Sequence, residues 1–95
     1  MPEMRFRVSW PDGSCETCYS PSLVIKDFFS PGESYPLDDF VARSRAALNI
    51  ASERVRAKYG FACSSAMDQL ARIEAAAKTF MHLPGARVHV DDFEE

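Results

Sequence analysis

Two cysteines three residues apart are the first side chains of this sequence that could carry chemistry. Cys15 and Cys18 lie in the stretch SCETCYSPS, and Cys63 is the third cysteine of the chain. A Cys-x-x-Cys pair can form half of a zinc site, or a redox pair when it opens a helix, because the helix N-terminus lowers the pKa of the attacking thiol. A zinc site would need two further ligands. Besides Cys63, the candidates are His82 and His89, and neither stands at the spacing of a zinc knuckle.

The local pattern favours a structural role for the two cysteines. In a strand, residues an odd number apart face opposite sides, and three steps separate the Cα atoms of Cys15 and Cys18 by about 10 Å. A disulfide requires Cα atoms within about 7 Å. We therefore expect free thiols, no metal and no cofactor, and a thiol or zinc-binding protein is the alternative.

The sequence contains no other recognisable catalytic spacing. It has no glycine-rich phosphate loop, no G-x-S-x-G elbow and no His-x-x-His or Glu-x-x-His pair. The expectation is that the protein is not an enzyme and has no catalytic residues.

The elements that would position these residues begin with a hairpin. Met4, Phe6, Val8 and Trp10 alternate with polar residues, which is the period of a strand with one buried face. The sequence WPDGS that follows favours a type I turn with a glycine bulge, and it predicts a second strand at about residues 14–19.

Three helices and a third strand are predicted after the hairpin. Ser20 and Pro21 indicate a helix over 21–29, with Ser20 as its cap. An apolar arc predicts a helix from about 38 to 59, ended by Gly60, and a third helix is predicted from near Ser65. Alternation at Val88 and Val90 indicates the last strand, and residues 91–95 are predicted to follow it as a solvated acidic tail. The apolar arc of the helix predicted from about 38 to 59 consists of Leu37, Phe40, Val41, Leu48, Ala51, Val55 and Tyr59.

The element order β-β-α-α-α-β predicts an α+β fold in a single domain, residues 1–95. We expect a small three-stranded, mainly antiparallel sheet with the helices packed on one face and the last strand beside the first.

The uncovered face of that sheet is the predicted binding site. Arg5, Arg7, Tyr19, Arg87 and His89 would share it. Arginine and tyrosine on one surface suit a protein partner or an anionic metabolite, and a merely solvated face is the alternative.

The long predicted helix carries a second feature opposite its apolar arc. Ala42, Ala46, Ile50 and Ala57 form a stripe of mostly small residues there. Another helix or a second subunit would have to cover this stripe, and we predict a homo-oligomer, a two-fold dimer.

The composition and charge of the chain limit its possible partners and location. The chain has 95 residues, 46% of them hydrophobic and 26% charged, with a net charge of −3. This acidic balance argues against nucleic-acid and membrane partners. The start MPEMRFRV has no apolar run of signal-peptide length, so a cytoplasmic location is expected.

Nearly the whole chain resembles a known family. The opening MRFRVSWPDG and the pieces CYSPS and ASERVRAKYGFACS are similar to the small nitrogen-starvation-response proteins of bacteria. Members are encoded beside a nitrilase, a radical-SAM enzyme, an acyltransferase-like protein and a flavin-dependent oxidoreductase. The resemblance implies a small accessory protein that binds an enzyme of such a cluster, carries or protects an intermediate, or regulates the pathway, and it implies no site residues.

Overall fold

The computed structural model describes residues 3–61 and 64–95. Its elements, in chain order, are β1 (Met4–Ser9), β2 (Cys15–Ser20), α1 (Ile25–Phe28), β3 (Ser34–Pro36), α2 (Leu37–Tyr59), α3 (Ser64–Phe80) and β4 (Arg87–Glu94).

The strands form one antiparallel sheet in the order β2-β1-β4-β3. The last strand lies beside the first, as predicted, and the α+β class is confirmed. The predicted number of three strands is wrong, because Ser34–Pro36 pairs with β4 as a fourth. This strand has only three residues and ends in a proline, so it carries neither the length nor the alternation that indicates a strand.

The predicted hairpin joins β1 to β2. Trp10 and Ser14 close it with a backbone hydrogen bond of 2.8 Å, and Gly13 has φ +88°. The Asp12 carboxylate accepts hydrogen bonds from the Ser14 hydroxyl and backbone N–H, at 2.6 and 2.9 Å. The hydroxyl bond is the main cause of a lowered pKa at Asp12. The turn therefore depends on the residue types that predicted it.

The first helix is shorter than predicted. It covers Ile25–Phe28 instead of 21–29, and no side chain caps it. Ser20 remains in β2, where its hydroxyl donates to the Ser22 carbonyl at 2.7 Å. Because this bond commits Ser20 to the turn after β2, the hydroxyl is not available as a helix cap.

The long helix α2 agrees with its predicted bounds to one residue. Its apolar arc is buried except for Tyr59, which is half exposed. Gly60 ends the helix in the left-handed conformation, with φ +86° and its N–H donating to the Arg56 carbonyl at 2.8 Å. Phe61 stays 68% exposed, with its ring 6.4 Å from that of Tyr59.

The third helix begins at Ser64, one residue before the predicted start. Its apolar stripe is buried at Ala66, Leu70, Ile73 and Ala77. Cys63, which precedes it, lies outside the described residues.

Aromatic side chains occupy the core between the sheet and the helices. The Phe40 ring lies 5.6 Å from Trp10 and 5.2 Å from Phe29. Trp10 also stacks on Phe80 at 5.9 Å, and Phe29 meets Tyr35 edge-on at 5.1 Å. This cluster connects the ends of β1 and α1 with β3, α2 and α3, and it lies on the face of the sheet that the helices cover.

Candidate functional site: the open face of the sheet

The structure places all five predicted binding residues on the same face of the sheet. Arg5 pairs across the strands with Tyr19 and with Glu94, and Arg7 pairs with Thr17 and with Asp92. The residues next to the arginines and His89 on β1 and β4 are fully buried on the core side: Met4, Phe6, Val8, Val88 and Val90. Arg87 and His89 alternate with the last two and so face the same way as Arg5, Arg7 and Tyr19. Binding by this face remains a prediction.

A β-bulge in β4 brings additional carboxylates to the open face. Arg7 lies opposite Asp92, but Val8 lies opposite Val90, so Asp91 is an extra residue without a partner position on β1. Both Asp91 and Asp92 then lie away from the buried side, and Phe93 returns to it opposite Phe6. The predicted solvated acidic tail is therefore part of β4.

Polar side chains cross all four strands in one line, which we call the polar row. The Cys15 sulfur lies 3.6 Å from the Ser9 hydroxyl, which donates to the two Asp91 carboxylate oxygens at 2.8 and 3.1 Å. His89 Nε2 lies 3.7 Å from Asp91 Oδ1, and His89 Nδ1 lies 2.9 Å from the Ser34 hydroxyl. One chain of contacts thus connects Cys15 on β2 to Ser34 on β3.

The arginines of this face are interleaved with carboxylates. Arg7 lies 3.3 Å from Asp92 and 3.8 Å from Glu94. Arg87 donates to the Ser34 carbonyl at 2.9 Å. Arg5 forms no ion pair with any described residue. The open face therefore presents both signs of charge.

We expect Arg7→Ala to lower the free energy of unfolding by less than about 1 kcal/mol, because ion pairs between half-exposed groups contribute little in water. Both Arg7 and Asp92 are about half exposed. Urea denaturation of the variant and the wild type checks this. A loss well above that value would mean that the arginine is needed for the fold and cannot serve as a probe of binding.

Sequence reasoning did not find three members of the polar row. Ser9 carried no signal beyond its place in a strand, and Ser34 lay in a predicted loop. Asp91 was assigned to a solvated tail. The pairing of β3 with β4 and the bulge bring them together, and neither can be read from residue spacing.

The two cysteines of SCETCYSPS lie on opposite sides of β2, as predicted. Cys15 is exposed, Cys18 is buried, and both are free thiols. Burial, assisted by the charge of Glu16, raises the pKa of the Cys18 thiol to about 12. Among residues 3–61 and 64–95, no three histidine, cysteine or acidic side chains are placed to hold a metal ion. Any contribution of Cys63 lies outside the described residues.

A separate cavity of about 490 Å³ lies away from the polar row. It opens where the start of α2 meets the loop between α3 and β4, and most of its lining is apolar. Asp38 is the only titratable group among the lining residues, which are Pro36, Leu37, Asp38, Met81, Leu83, Gly85 and Ala86.

The predicted stripe on α2 is uncovered. Ala42, Ala46, Ile50 and Ala57 are all exposed, and Ile50 retains 39% of its accessible surface. No described helix covers this stripe.

None of the described helices is long and apolar enough to cross a membrane.

Fold and site together define a small α+β protein with a sheet covered on one face and polar on the other. A profile of the family described as nitrogen starvation-induced protein NitG matches residues 5–93. The chain therefore belongs to this nitrogen starvation-induced family, which confirms the resemblance found in the sequence. No curated protein and no solved structure matches the chain.

Proposed function

We propose that the protein is a non-catalytic accessory protein of the nitrogen-starvation response that binds another protein through the open face of its sheet. The observation that carries the proposal is the polar row. Five side chains on four strands lie in one line, joined by hydrogen bonds and by the 3.7 Å contact of His89 with Asp91, on a face that no described helix covers. Such an ordered polar surface on a rigid sheet suits docking, because little side-chain freedom is lost on binding.

Mixed charge favours a protein over a small anion as the ligand. A pocket for an anionic metabolite would direct several cations at one point. Here Arg7 is shared between Asp92 and Glu94, and His89 lies beside Asp91. Positive and negative charges that alternate across a sheet face suit binding to a protein surface with the complementary charges. Such charges set the orientation of the partner and exclude wrong partners.

A role without catalysis fits the position of the polar row. Ser34, His89 and Asp91 follow one another in the order of a nucleophile, a base and an orienting acid. Their row nevertheless lies on a sheet face where the His89 and Asp91 side chains are 43% and 30% exposed, and 3.7 Å separates the two groups. Nucleophilic catalysis uses hydrogen-bonded contacts in a site that excludes water, so the row is better suited to recognition.

The proposed partners are enzymes encoded beside members of this family, of the nitrilase and radical-SAM types, in the cytoplasm. A second copy of the chain is included among the partners. The sequence predicted that a copy would dock on Ala42, Ala46, Ile50 and Ala57; these residues are exposed, but no contact among the described residues favours this stripe over another surface of the chain.

A binding measurement with a charge-matched control tests the open face. Arg5→Glu and Lys78→Glu change the net charge equally, but only Arg5 lies on that face; Lys78 is an exposed residue of α3. We expect wild type and Lys78→Glu to bind at least one purified neighbouring enzyme. Arg5→Glu should bind it about tenfold or more weakly, because a like-charge contact in an interface costs several kcal/mol.

Two outcomes of this measurement would count against the proposal. One is that the wild type binds none of the neighbouring enzymes and changes none of their activities. The other is equal weakening by Arg5→Glu and Lys78→Glu, which would indicate a general charge effect instead of a site on the sheet.

A further inference from the structure

The outer edge of β2 exposes backbone groups whose direction is fixed at both ends of the strand. The Tyr19 N–H donates to Oε1 of Gln69 on α3 at 3.0 Å, so it points away from β1. At the other end, Trp10 and Ser14 form a hydrogen-bonded pair within the hairpin. Hydrogen-bonded and non-hydrogen-bonded pairs alternate along an antiparallel ladder. Cys15 and Thr17 therefore form non-hydrogen-bonded pairs with Ser9 and Arg7 of β1, and their N–H and C=O groups point outward.

Helix α3 protects this edge only at Tyr19. Gln69 is 3% exposed, and its Nε2 has no hydrogen-bond partner among the described residues. The opposite edge of the sheet is protected from strand pairing in a different way. Its strand β3 has only three residues and ends in Pro36, which has no N–H to donate. Cys15 and Thr17 are exposed, and no described residue outside β2 forms a hydrogen bond with their outward backbone groups. Unpaired N–H and C=O groups at the edge of a sheet can form hydrogen bonds with another strand.

We propose that a second copy of the chain pairs here, with β2 antiparallel to the same strand of the partner about a two-fold axis at Glu16. Cys15 then lies opposite Thr17 of the partner subunit, and Thr17 lies opposite Cys15 of the partner subunit. Both pairs exchange N–H···O=C bonds, and the two sheets become one sheet of eight strands. This assembly goes beyond the proposed function and doubles the open polar face.

The length of the open edge favours a copy over an unrelated strand. Two outward residues are available, between the hairpin turn and the Tyr19–Gln69 contact. Pairing about Glu16 uses these two residues and leaves that contact intact. In this register Gly13 of the partner subunit lies beside Tyr19, and Gly13 is where the chain turns away, with φ +88°. An isologous interface requires such a self-matching segment.

Charges beside the strand are also self-complementary. Helix α3 passes over the core side of β2 from Gln69, at Tyr19, to Phe80, which stacks on Trp10. Arg72 lies three residues after Gln69 on this helix, and its charge partly opposes the rise that burial causes in the pKa of Cys18.

Asp68 and Arg72 are exposed on the helix and form no ion pair with any described residue. In the proposed dimer a two-fold axis at Glu16 places α3 antiparallel to its own copy, an arrangement in which the opposite charges of Asp68 and Arg72 are self-complementary.

Proline at Thr17 tests the pairing directly. It removes an N–H that points outward and leaves the ladder to β1 intact, so the variant should remain folded. We expect light scattering after size exclusion to show the wild type rising from 10.7 kDa towards twice that mass with concentration. Thr17→Pro should associate roughly tenfold to a hundredfold more weakly, since two intersubunit hydrogen bonds are lost, and Thr17→Val should resemble the wild type.

A cysteine at the same position tests the register without relying on proline. Directly opposite residues of a hydrogen-bonded pair have Cα atoms about 5.5 Å apart, within disulfide range. In a Cys63→Ser background, Thr17→Cys should form a covalent dimer on mild oxidation. Mass spectrometry should place the link between the introduced thiol and Cys15 of the partner subunit. Thr17→Ser in the same background should not cross-link.

The proposal is wrong if the wild type stays at 10.7 kDa at high concentration and Thr17→Cys does not cross-link. It is equally wrong if Ile50→Arg abolishes the dimer while Thr17→Pro leaves it intact, since the interface would then be the stripe on α2. Arg5→Glu tests the open face and should leave the dimer unchanged.

Discussion

Phe40→Ala should lower the free energy of unfolding by about 3–5 kcal/mol, a large part of the roughly 5–15 kcal/mol that stabilises a typical domain. Phe40 is fully buried, and its ring packs against Trp10 and Phe29. Truncation removes buried apolar surface and leaves a cavity where α2 meets the sheet. Urea denaturation followed by the fluorescence of Trp10, the only tryptophan, measures the loss.

Phe61→Ala is the matched control for that experiment, because it makes the same chemical change on the surface. Phe61 is 68% exposed, so its truncation should change the free energy of unfolding by less than about 0.5 kcal/mol. Equal effects of the two substitutions would contradict the position of Phe40 in the core.

Cys18 should resist alkylation in the folded protein while Cys15 reacts. With a pKa of about 12, the Cys18 thiol is ionised to about one part in ten thousand at pH 8, and burial also blocks access. In a Cys63→Ser background, iodoacetamide should modify Cys15 at least about a hundredfold faster, and urea should remove the difference. Rapid modification of Cys18 without denaturant would show that β2 opens readily or that its core side is not covered.

The same thiol makes stability depend on alkaline pH. The unfolded thiol ionises near its ordinary pKa of 9.0, whereas the folded one is held neutral up to about 12. The raised pKa therefore contributes fully below pH 9, and the contribution is lost as pH rises from 9 towards 12. The slope is about 1.4 kcal/mol per pH unit. Cys18→Ala should lack this component when the two proteins are compared over the same pH range.

Local chemistry made much of the fold predictable. The hairpin follows from WPDGS because its proline, aspartate and glycine each satisfy one requirement of a tight turn. The long helix follows from the spacing of residues such as Phe40 and Leu48, since a 3.6-residue period leaves one face to bury. Where two local interactions competed, prediction failed: Ser20 could cap a helix or close a turn, and its bond to the Ser22 carbonyl selects the turn.

The sequence predicted which face of the sheet carries the candidate site, but it did not predict the contacts on that face. Alternation in β1 and β4 implied that Arg5, Arg7, Arg87 and His89 point away from the core. The carboxylate partners of Arg7 and His89 were not predictable, because the bulge at Asp91 depends on how β4 pairs with β1 and not on the residues of β4 alone. Ser34 joins the polar row only through β3, whose three residues form a strand because β4 provides an edge to pair with.

The sequence by itself determined the class of fold, the hairpin, the two long helices, the opposite orientations of Cys15 and Cys18 and the family. These follow from periodicity, turn chemistry and shared motifs, which act over a few residues or are read directly from the chain. The tertiary structure decided the fourth strand, the bulge, the polar row and the unprotected edge at Cys15 and Thr17. Those features arise where residues up to 82 positions apart meet, as Ser9 and Asp91 do, and such a meeting depends on the packing of the whole chain.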